Sequence, residues 1–124
     1  MQKLMVVDDS GAMRSLIASI LGDFPDLEVV EAANGFEALK LLPRAAIDLL
    51  VLDLNMPGLS GLEVLSFVKK SPDLAKTRVL IVTTAGREED RRRAISLGAD
   101  DYVTTPFEPD ALVAAVRRLL GVGG

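Results

Sequence analysis

Apolar residues fall into five short, dense runs separated by longer stretches in which they recur every three or four positions. The dense runs cover 4–7, 27–30, 49–52, 79–82 and 102–104. Each is of strand length and rich in aliphatic or β-branched side chains. Between them, Met13, Leu16, Ile17, Ile20 and Leu21, then Phe36, Ala38, Leu39 and Leu42, then Leu62, Leu65 and Val68 keep the spacing of helices with one buried face. Ala94, Ile95 and Leu97 mark a shorter fourth helix. Leu112, Val113, Val116, Leu119 and Leu120 mark a fifth, with Pro109 near its first turn, where a missing N–H costs nothing. Pro25, Gly35, Pro43, Gly58, Gly61, Pro72, Gly86, Gly98 and Pro106 read as punctuation between the runs.

Strand and helix thus alternate along the whole chain. The first, third and fourth runs are continuous rather than alternating, which is the pattern of parallel strands covered by helices on both faces. The predicted fold is a doubly wound α/β domain, a (βα)5 three-layer sandwich with a five-stranded parallel sheet. With 124 residues, 49% of them apolar, the chain supports one core and leaves little room for a second, so 1–124 is read as a single domain.

Composition narrows the chemistry. Cysteine and histidine are both absent from the sequence, which excludes disulfides, thiolate zinc sites, thiol nucleophiles and imidazole acid–base catalysis. A formal net charge of -4 argues against direct nucleic-acid binding or adhesion to anionic lipid. No apolar stretch approaches the length of a membrane span, and Met1-Gln2-Lys3 does not open a signal peptide. The expected location is cytoplasmic, without membrane insertion.

What remains is carboxylate and hydroxyl chemistry, and it collects at strand ends. Asp8 and Asp9 close the first run, Asp53 the third, Thr83 and Thr84 the fourth, and Thr104 and Thr105 the fifth. In a doubly wound sheet, functional groups gather beyond the carboxyl ends of the strands, where strand order switches. A carboxylate beside a core is costly unless a cation or a chemical task accompanies it. Asp8, Asp9, Asp53 and a backbone carbonyl just after Asp53 would suit a hard divalent ion such as magnesium. Capping of the first helix accounts for Asp8 or Asp9, but not for Asp53. Beside a bound cation, Asp53 is a carboxylate nucleophile able to accept a phosphoryl group as an acyl phosphate. Such a transfer needs positioning and charge stabilisation more than proton chemistry.

Val6-Val7-Asp8-Asp9, Met13-Arg14, Asp53-Leu54-Asn55-Met56-Pro57-Gly58-Leu59-Ser60-Gly61, Val82-Thr83, Gly98-Ala99-Asp100-Asp101-Tyr102-Val103 and Pro106-Phe107 follow one another in a specific order. In these motifs the chain resembles a response-regulator receiver domain of two-component signalling, in the layout of stand-alone chemotaxis-type receivers. The resemblance implies a flavodoxin-like sheet in the order 2-1-3-4-5, with Asp53 as phosphoacceptor. It implies magnesium bound directly by Asp9 and Asp53, by Asp8 mainly through water, and by the Asn55 backbone carbonyl. Thr83 becomes the switch hydroxyl and Tyr102 the switch aromatic, although Tyr102 also reads as a half-buried strand aromatic. Such a protein is not a turnover enzyme. It accepts the phosphoryl group from a sensor histidine kinase or phosphotransfer protein, loses it by self-catalysed hydrolysis, and signals to a downstream protein target through the fourth helix, fifth strand and fifth helix.

One position departs from the family. Thr105 stands where receivers carry a lysine, and Pro106-Phe107 fix the alignment. A lysine about 4 Å from a charged oxygen is worth about 4 kcal/mol at an effective dielectric near ~20, against about 1 kcal/mol for a neutral hydroxyl bond. The acidic cluster is therefore expected to lean harder on metal, and Asp53 to be phosphorylated more slowly or coupled less well to Thr83 and Tyr102. Arg87, after the fourth strand, reads as a solvated loop arginine rather than a substitute. Thr84 replaces the usual small residue, and its methyl either narrows access or does nothing. Arg91-Arg92-Arg93 and Arg117-Arg118 read either as a basic surface for carboxylate-rich partners or as solvated helix faces.

Three competing readings remain. A phosphorylation-independent pseudo-receiver would use the same surface as a binding module, and Thr105 favours it. A flavodoxin-like cofactor binder is opposed by Asp8-Asp9, which repel an anion where a phosphate cradle belongs. An aspartate-nucleophile phosphatase lacks its second aspartate two residues on, where Asn55 sits. No further module follows the fifth helix in the sequence given, so output is expected through protein binding unless the chain was cut from a longer one.

Overall fold

Five parallel strands, β1 (Gln2–Val7), β2 (Leu27–Ala32), β3 (Leu49–Leu52), β4 (Arg78–Thr83) and β5 (Asp101–Thr104), form one sheet in the order β2-β1-β3-β4-β5. This is seen in a computed structural model that describes residues 1–121. The helices α1 (Gly11–Ile20), α2 (Gly35–Ala45), α3 (Gly61–Lys70), α4 (Glu88–Ser96) and α5 (Pro109–Leu120) alternate with the strands. The order 2-1-3-4-5 and the (βα)5 alternation agree with the sequence reading. The chain end, 122–124, on which the expectation of no further module rests, lies outside the described residues.

The central strands read as unbroken apolar runs because both of their faces are covered. Leu4, Val6, Leu49, Val51, Leu80 and Val82 pack with Ile17 of α1 and Leu112 and Val116 of α5. Met5, Val7, Leu50, Leu52, Val79 and Ile81 point the other way, into Leu42, Leu65, Val68 and Ala94 of α2, α3 and α4. Adjacent residues thus serve opposite cores, as the period of two in a strand requires. The chain leaves β1 toward one face and enters β3 from the other. The loops after these two neighbouring strands therefore diverge and open a crevice.

Boundaries differ from the sequence pattern for local reasons. β1 begins at Gln2 because Gln2 and Lys3 pair with Leu27 and Glu28. Gly35 and Gly61 open α2 and α3 rather than standing between runs. Pro43 lies inside α2, which continues to Ala45 before Ala46 turns left-handed at φ 51°. The proline costs one N–H bond, and because Pro43 faces solvent while Ala38 and Leu42 hold the helix on the core, α2 carries on past it. α4 starts at Glu88, ahead of its apolar residues, with three acidic side chains in the first turn opposing the helix dipole's positive end.

Gly61 fixes the loop that carries Asp53. A Cβ there would sit 2.1 Å from the Asp53 carbonyl oxygen and 2.7 Å from Leu54 Cα. The close approach lets Gly61 N–H donate to the Leu54 carbonyl at 3.1 Å. A capping box in which Ser60 and Glu63 exchange hydrogen bonds holds the same turn. Gly61→Ala is expected to cost about 2–3 kcal/mol through this backbone collision. Urea unfolding checks this, and an unchanged midpoint would contradict the close approach.

Candidate functional site

β1 and β3 run in register, Val7 opposite Leu52, so Asp8 and Asp53 emerge side by side at their carboxyl ends. Two further backbone bonds carry the ladder into the site: Asp8 N–H to the Ala32 carbonyl at 3.3 Å and Asp53 N–H to the Val7 carbonyl at 3.0 Å. Asp8, Asp9 and Asp53 each present a carboxylate oxygen within 4.8 Å of the others. Asp8 is buried at 6% exposure, Asp53 is partly buried, and Asp9 is exposed.

The aspartates are not helix caps. Ser10 is the N-cap of α1, accepting the Met13 N–H at 3.1 Å, while Asp8 Oδ1 accepts the Ser10 N–H at 2.8 Å. Capping, weighed above for Asp8 or Asp9, falls to their neighbour and leaves both carboxylates facing the crevice. A helix-start signal in the sequence, serine just before an apolar-periodic stretch, marks Ser10.

The carboxylates crowd one another, relieved only in part by the Arg14 guanidinium charge near Asp8. Burial pushes the Asp8 carboxyl up to about 6, the Ser10 amide opposes this, and the charges of Asp53 and Asp9 add to it. Asp53 is also raised, first by burial and then by Asp9, against hydrogen bonds from Thr83 and from the Asn55 and Leu54 amides. The Asn55 amide donates to Asp53 Oδ1 at 3.2 Å, and the Asn55 side chain donates to Thr84 Oγ1 at 3.4 Å. Arg14, whose role the sequence did not reveal, clamps the loop: Nη1 donates to the Asp8 carbonyl at 2.6 Å and Nε pairs with Glu31 at 3.0 Å.

A cavity of about 250 Å³ opens here, lined by the three aspartates, Ser10, Met13 and Val82, and by Thr83, Thr84 and Thr105. Thr83 is 1% exposed, and its hydroxyl accepts the Ala85 N–H at 3.3 Å. Thr105 is held by its N–H on the Thr83 carbonyl at 2.9 Å and by a cis bond to Pro106. Its hydroxyl is buried without a hydrogen-bond partner among the described residues. Tyr102, at 9% exposure, lies in the α2–α3–α4 core, and its hydroxyl donates to the Ala85 carbonyl. Asp8, Asp9, Asp53, Thr83, Thr84 and Thr105 therefore line one crevice, with Asn55 bonded to Asp53 at its edge and Tyr102 joined to it through Ala85.

Arg87 is solvated, as the sequence suggests. Arg87 caps α4 at its backbone, is 79% exposed at its side chain, and pairs with Glu89 at 3.1 Å, so it does not enter the cavity. Three of the arginines on α4 and α5 have partners within the chain. Arg92 pairs with Glu88, Arg118 with Asp101, and Arg117 lies 5.8 Å over the Phe24 ring on the α1 side.

A doubly wound sheet with an all-oxygen acidic crevice at its switch point suits a hard divalent cation beside a carboxylate nucleophile. Residues 4–117 match the response regulator receiver domain, and the chain belongs to that family. It is 34% identical over 119 residues to the phosphate regulon transcriptional regulatory protein PhoB of Klebsiella pneumoniae, covering 96% of this chain and 52% of that protein. It is 34% identical over 122 residues to a chemotaxis protein CheY homolog of Campylobacter jejuni, covering 98% of this chain and 94% of that one. The chain thus spans about half the length of the transcriptional regulators it matches. Chemotaxis protein CheY4 of Vibrio cholerae superposes with a TM-score of 0.88 at 32% identity, over 96% of this chain and 98% of that one.

Receiver domains are phosphoacceptor signalling modules rather than turnover enzymes; they work with histidine kinases and downstream targets and bind magnesium at an acidic pocket. The Asp8, Asp9 and Asp53 oxygens fit such an ion, because the donors are hard, anionic and converge within 4.8 Å. No described helix is long and apolar enough to cross a membrane.

The raised Asp8 pKa has a sign that can be measured with magnesium chelated. The folded protein holds the Asp8 proton more tightly than the unfolded chain, so this group's contribution to stability falls as pH rises from 3.8 to about 6 and stays low above that. Asp8→Asn is expected to stabilise the metal-free protein at pH near ~7.5 by at most about 3 kcal/mol, with the gain vanishing near pH ~4. Urea midpoints at the two pH values test this; an equal gain at both would refute the charge explanation.

Proposed function

We propose that residues 1–124 act as a single receiver domain in which Asp53 accepts a phosphoryl group from a sensor histidine kinase or phosphotransfer protein. The observation that carries this reading is the convergence of the Asp8, Asp9 and Asp53 oxygens within 4.8 Å at the ends of β1 and β3. Asp9 and Asp53 would hold magnesium directly, Asp8 through water, and Asn55 through its backbone carbonyl. When bound, magnesium offsets carboxylate charge and draws electron density from the phosphoryl oxygens.

In the transfer, an Asp53 oxygen forms a bond to phosphorus as the donor's phosphorus–nitrogen bond breaks, and the electron pair leaves with the imidazole. The carboxylate has no proton to lose, which suits a chain without histidine. Thr83 lies beside Asp53 and its hydroxyl accepts from Ala85, whose carbonyl receives Tyr102. Movement of the Thr83 hydroxyl toward new oxygens on Asp53 would therefore act on the loop that holds Tyr102. The output face is formed by α4, β5 and α5, where exposed Arg91 and Arg93 make no salt bridge among the described residues and suit a carboxylate-rich protein target. A cytoplasmic location and the layout of a stand-alone chemotaxis-type receiver belong to the same reading.

Thr105 weakens the switch, because a hydroxyl replaces the positive charge that would balance the phosphoryl group. A second reading, the phosphorylation-independent binding module, is favoured by one observation: Tyr102 is already buried and bonded to Ala85.

Acetyl phosphate with magnesium is expected to add the mass of one phosphoryl group to the protein, and Asp53→Asn or chelation to abolish the gain. Beryllofluoride should alter the fluorescence of Tyr102, the sole tyrosine in a chain without tryptophan. Thr105→Lys should speed phosphorylation about tenfold or more. No mass gain under saturating donor, with tyrosine emission unmoved, would leave the binding-module reading standing.

A further inference from the structure

At the amino-terminal edge of the sheet, opposite the aspartate crevice, the chain builds a second groove of about 420 Å³, lined by Lys69, Ala75, Lys76, Arg78 and Asp100. Three cations face one carboxylate there, a formal excess of +2 in a chain whose net charge is -4. They come from separate places: Lys69 from the last turn of α3, Lys76 from the loop after it, and Arg78 from the first position of β4. Like charges gathered from three segments repel, and among the described residues no acidic side chain beyond Asp100 lines the groove. Asp48, which precedes β3, accepts the Lys3 N–H at 2.8 Å and lies outside the lining.

One of these cations is fixed in place. A Cβ at Gly98 would sit 2.8 Å from Lys69 Cγ, so the lysine stem lies against the backbone between α4 and β5. Its ammonium donates to the Thr77 carbonyl at 2.8 Å and to Asp100 Oδ2 at 3.1 Å, which leaves one of its three N–H bonds without an acceptor among the described residues. Asp100 is occupied in turn: Oδ2 also accepts the Val79 N–H at 2.8 Å, while Oδ1 lies 3.8 Å from Arg78 Nη1, too far for a hydrogen bond. The other two cations are accessible. Lys76 is exposed and makes no hydrogen bond or salt bridge among the described residues, and the Arg78 side chain is 59% exposed. A fixed ammonium and two open cations thus share one concave space.

We propose that this groove is a binding site for a dianionic phosphate group, carried by inorganic phosphate or by a small phosphate monoester. The two surplus positive charges match the charge of about −2 on such a group. The donors match it as well: the Arg78 guanidinium takes two phosphate oxygens side by side, and the Lys69 and Lys76 ammoniums act as point charges on the rest. A monocarboxylate would leave one surplus charge unbalanced. The volume falls in the ~300–1,000 Å³ range of small-molecule sites, which leaves space for an organic portion beside the phosphate. A bound anion would join the end of α3, the 71–77 loop and the start of β4, and so stabilise that end of the domain by mass action. The inference is independent of the phosphoacceptor reading, since none of these residues lines the aspartate crevice.

The test titrates inorganic phosphate, glycerol 3-phosphate and dimethyl phosphate into the full chain in magnesium-free buffer of constant ionic strength. Backbone amide resonances of Ala75, Lys76 and Arg78 are followed beside those of Asp53 and Thr83. Saturable shifts confined to the groove are expected with the two dianions. Dimethyl phosphate, which keeps the tetrahedral shape with a single charge, should bind about tenfold more weakly or worse. Lys76→Gln and Arg78→Gln, both at exposed positions, should each weaken the dianions about tenfold. Lys70→Gln removes the same charge from the same helix end but from a side chain outside the groove, and should leave binding within about twofold. The dianions should also raise the thermal midpoint of the wild type more than that of Lys76→Gln. Binding of glycerol 3-phosphate no tighter than inorganic phosphate identifies the free anion as the ligand, and tighter binding identifies an organic phosphate. Equal binding of dimethyl phosphate, equal weakening by Lys70→Gln, shifts centred on Asp53, or no saturable shift at millimolar concentration overturns the site.

Discussion

The structure turns on the repulsion and desolvation of three carboxylates that the parallel register of β1 and β3 forces together. Val7 opposite Leu52 places Asp8 and Asp53 at one level, and the bonds from Asp53 to Val7 and from Asp8 to Ala32 keep the backbone from spreading. The opposing force is distributed over a sheet whose central strands are buried on both faces. Burial of aliphatic side chains at about 25 cal/mol per Å² offsets a strain that any one hydrogen bond could not. The raised pKa values of Asp8 and Asp53 are its local record. A cation is the natural relief, and the crevice admits one only because the loops after these strands part at the switch point.

How much of this is legible in the sequence depends on whether a feature is local. A run such as Leu49-Leu-Val-Leu52 followed by Asp53 is anomalous within five residues, so the acidic site and the central strands can be read directly. The first turn of α4 cannot, because Glu88, Glu89 and Asp90 carry no apolar periodicity and are supported by the helix dipole and the Glu88–Arg92 pair. Pro43 misleads because its lost N–H bond is a local cost, whereas the burial of Ala38 and Leu42 that holds α2 on the sheet is tertiary and not visible at the proline. Arg14 and Thr105 differ again. Their residue types are visible in sequence, but the clamp on the Asp8 carbonyl and the unpartnered hydroxyl exist only once β1, β4 and β5 lie side by side.

The same distinction separates what Thr105 alters from what it leaves alone. Asp53, Thr83, Ala85 and Tyr102 lie in sequence along one route: Thr83 shares the cavity with Asp53, Ala85 N–H donates to the Thr83 hydroxyl, and the Ala85 carbonyl accepts from Tyr102. None of these bonds involves the Thr105 side chain. Thr105 meets the chain only through its backbone, at the Thr83 carbonyl, a bond that any residue except proline could make. On the phosphoacceptor reading, replacing lysine by threonine therefore removes charge from the start of the route while preserving its geometry. The route's far end is already in its buried arrangement, with Tyr102 inside the core. A phosphoryl group would then reinforce a conformation the domain holds on its own rather than create one, and the size of the response would be set by how far the Ala85 loop departs from that arrangement in its absence.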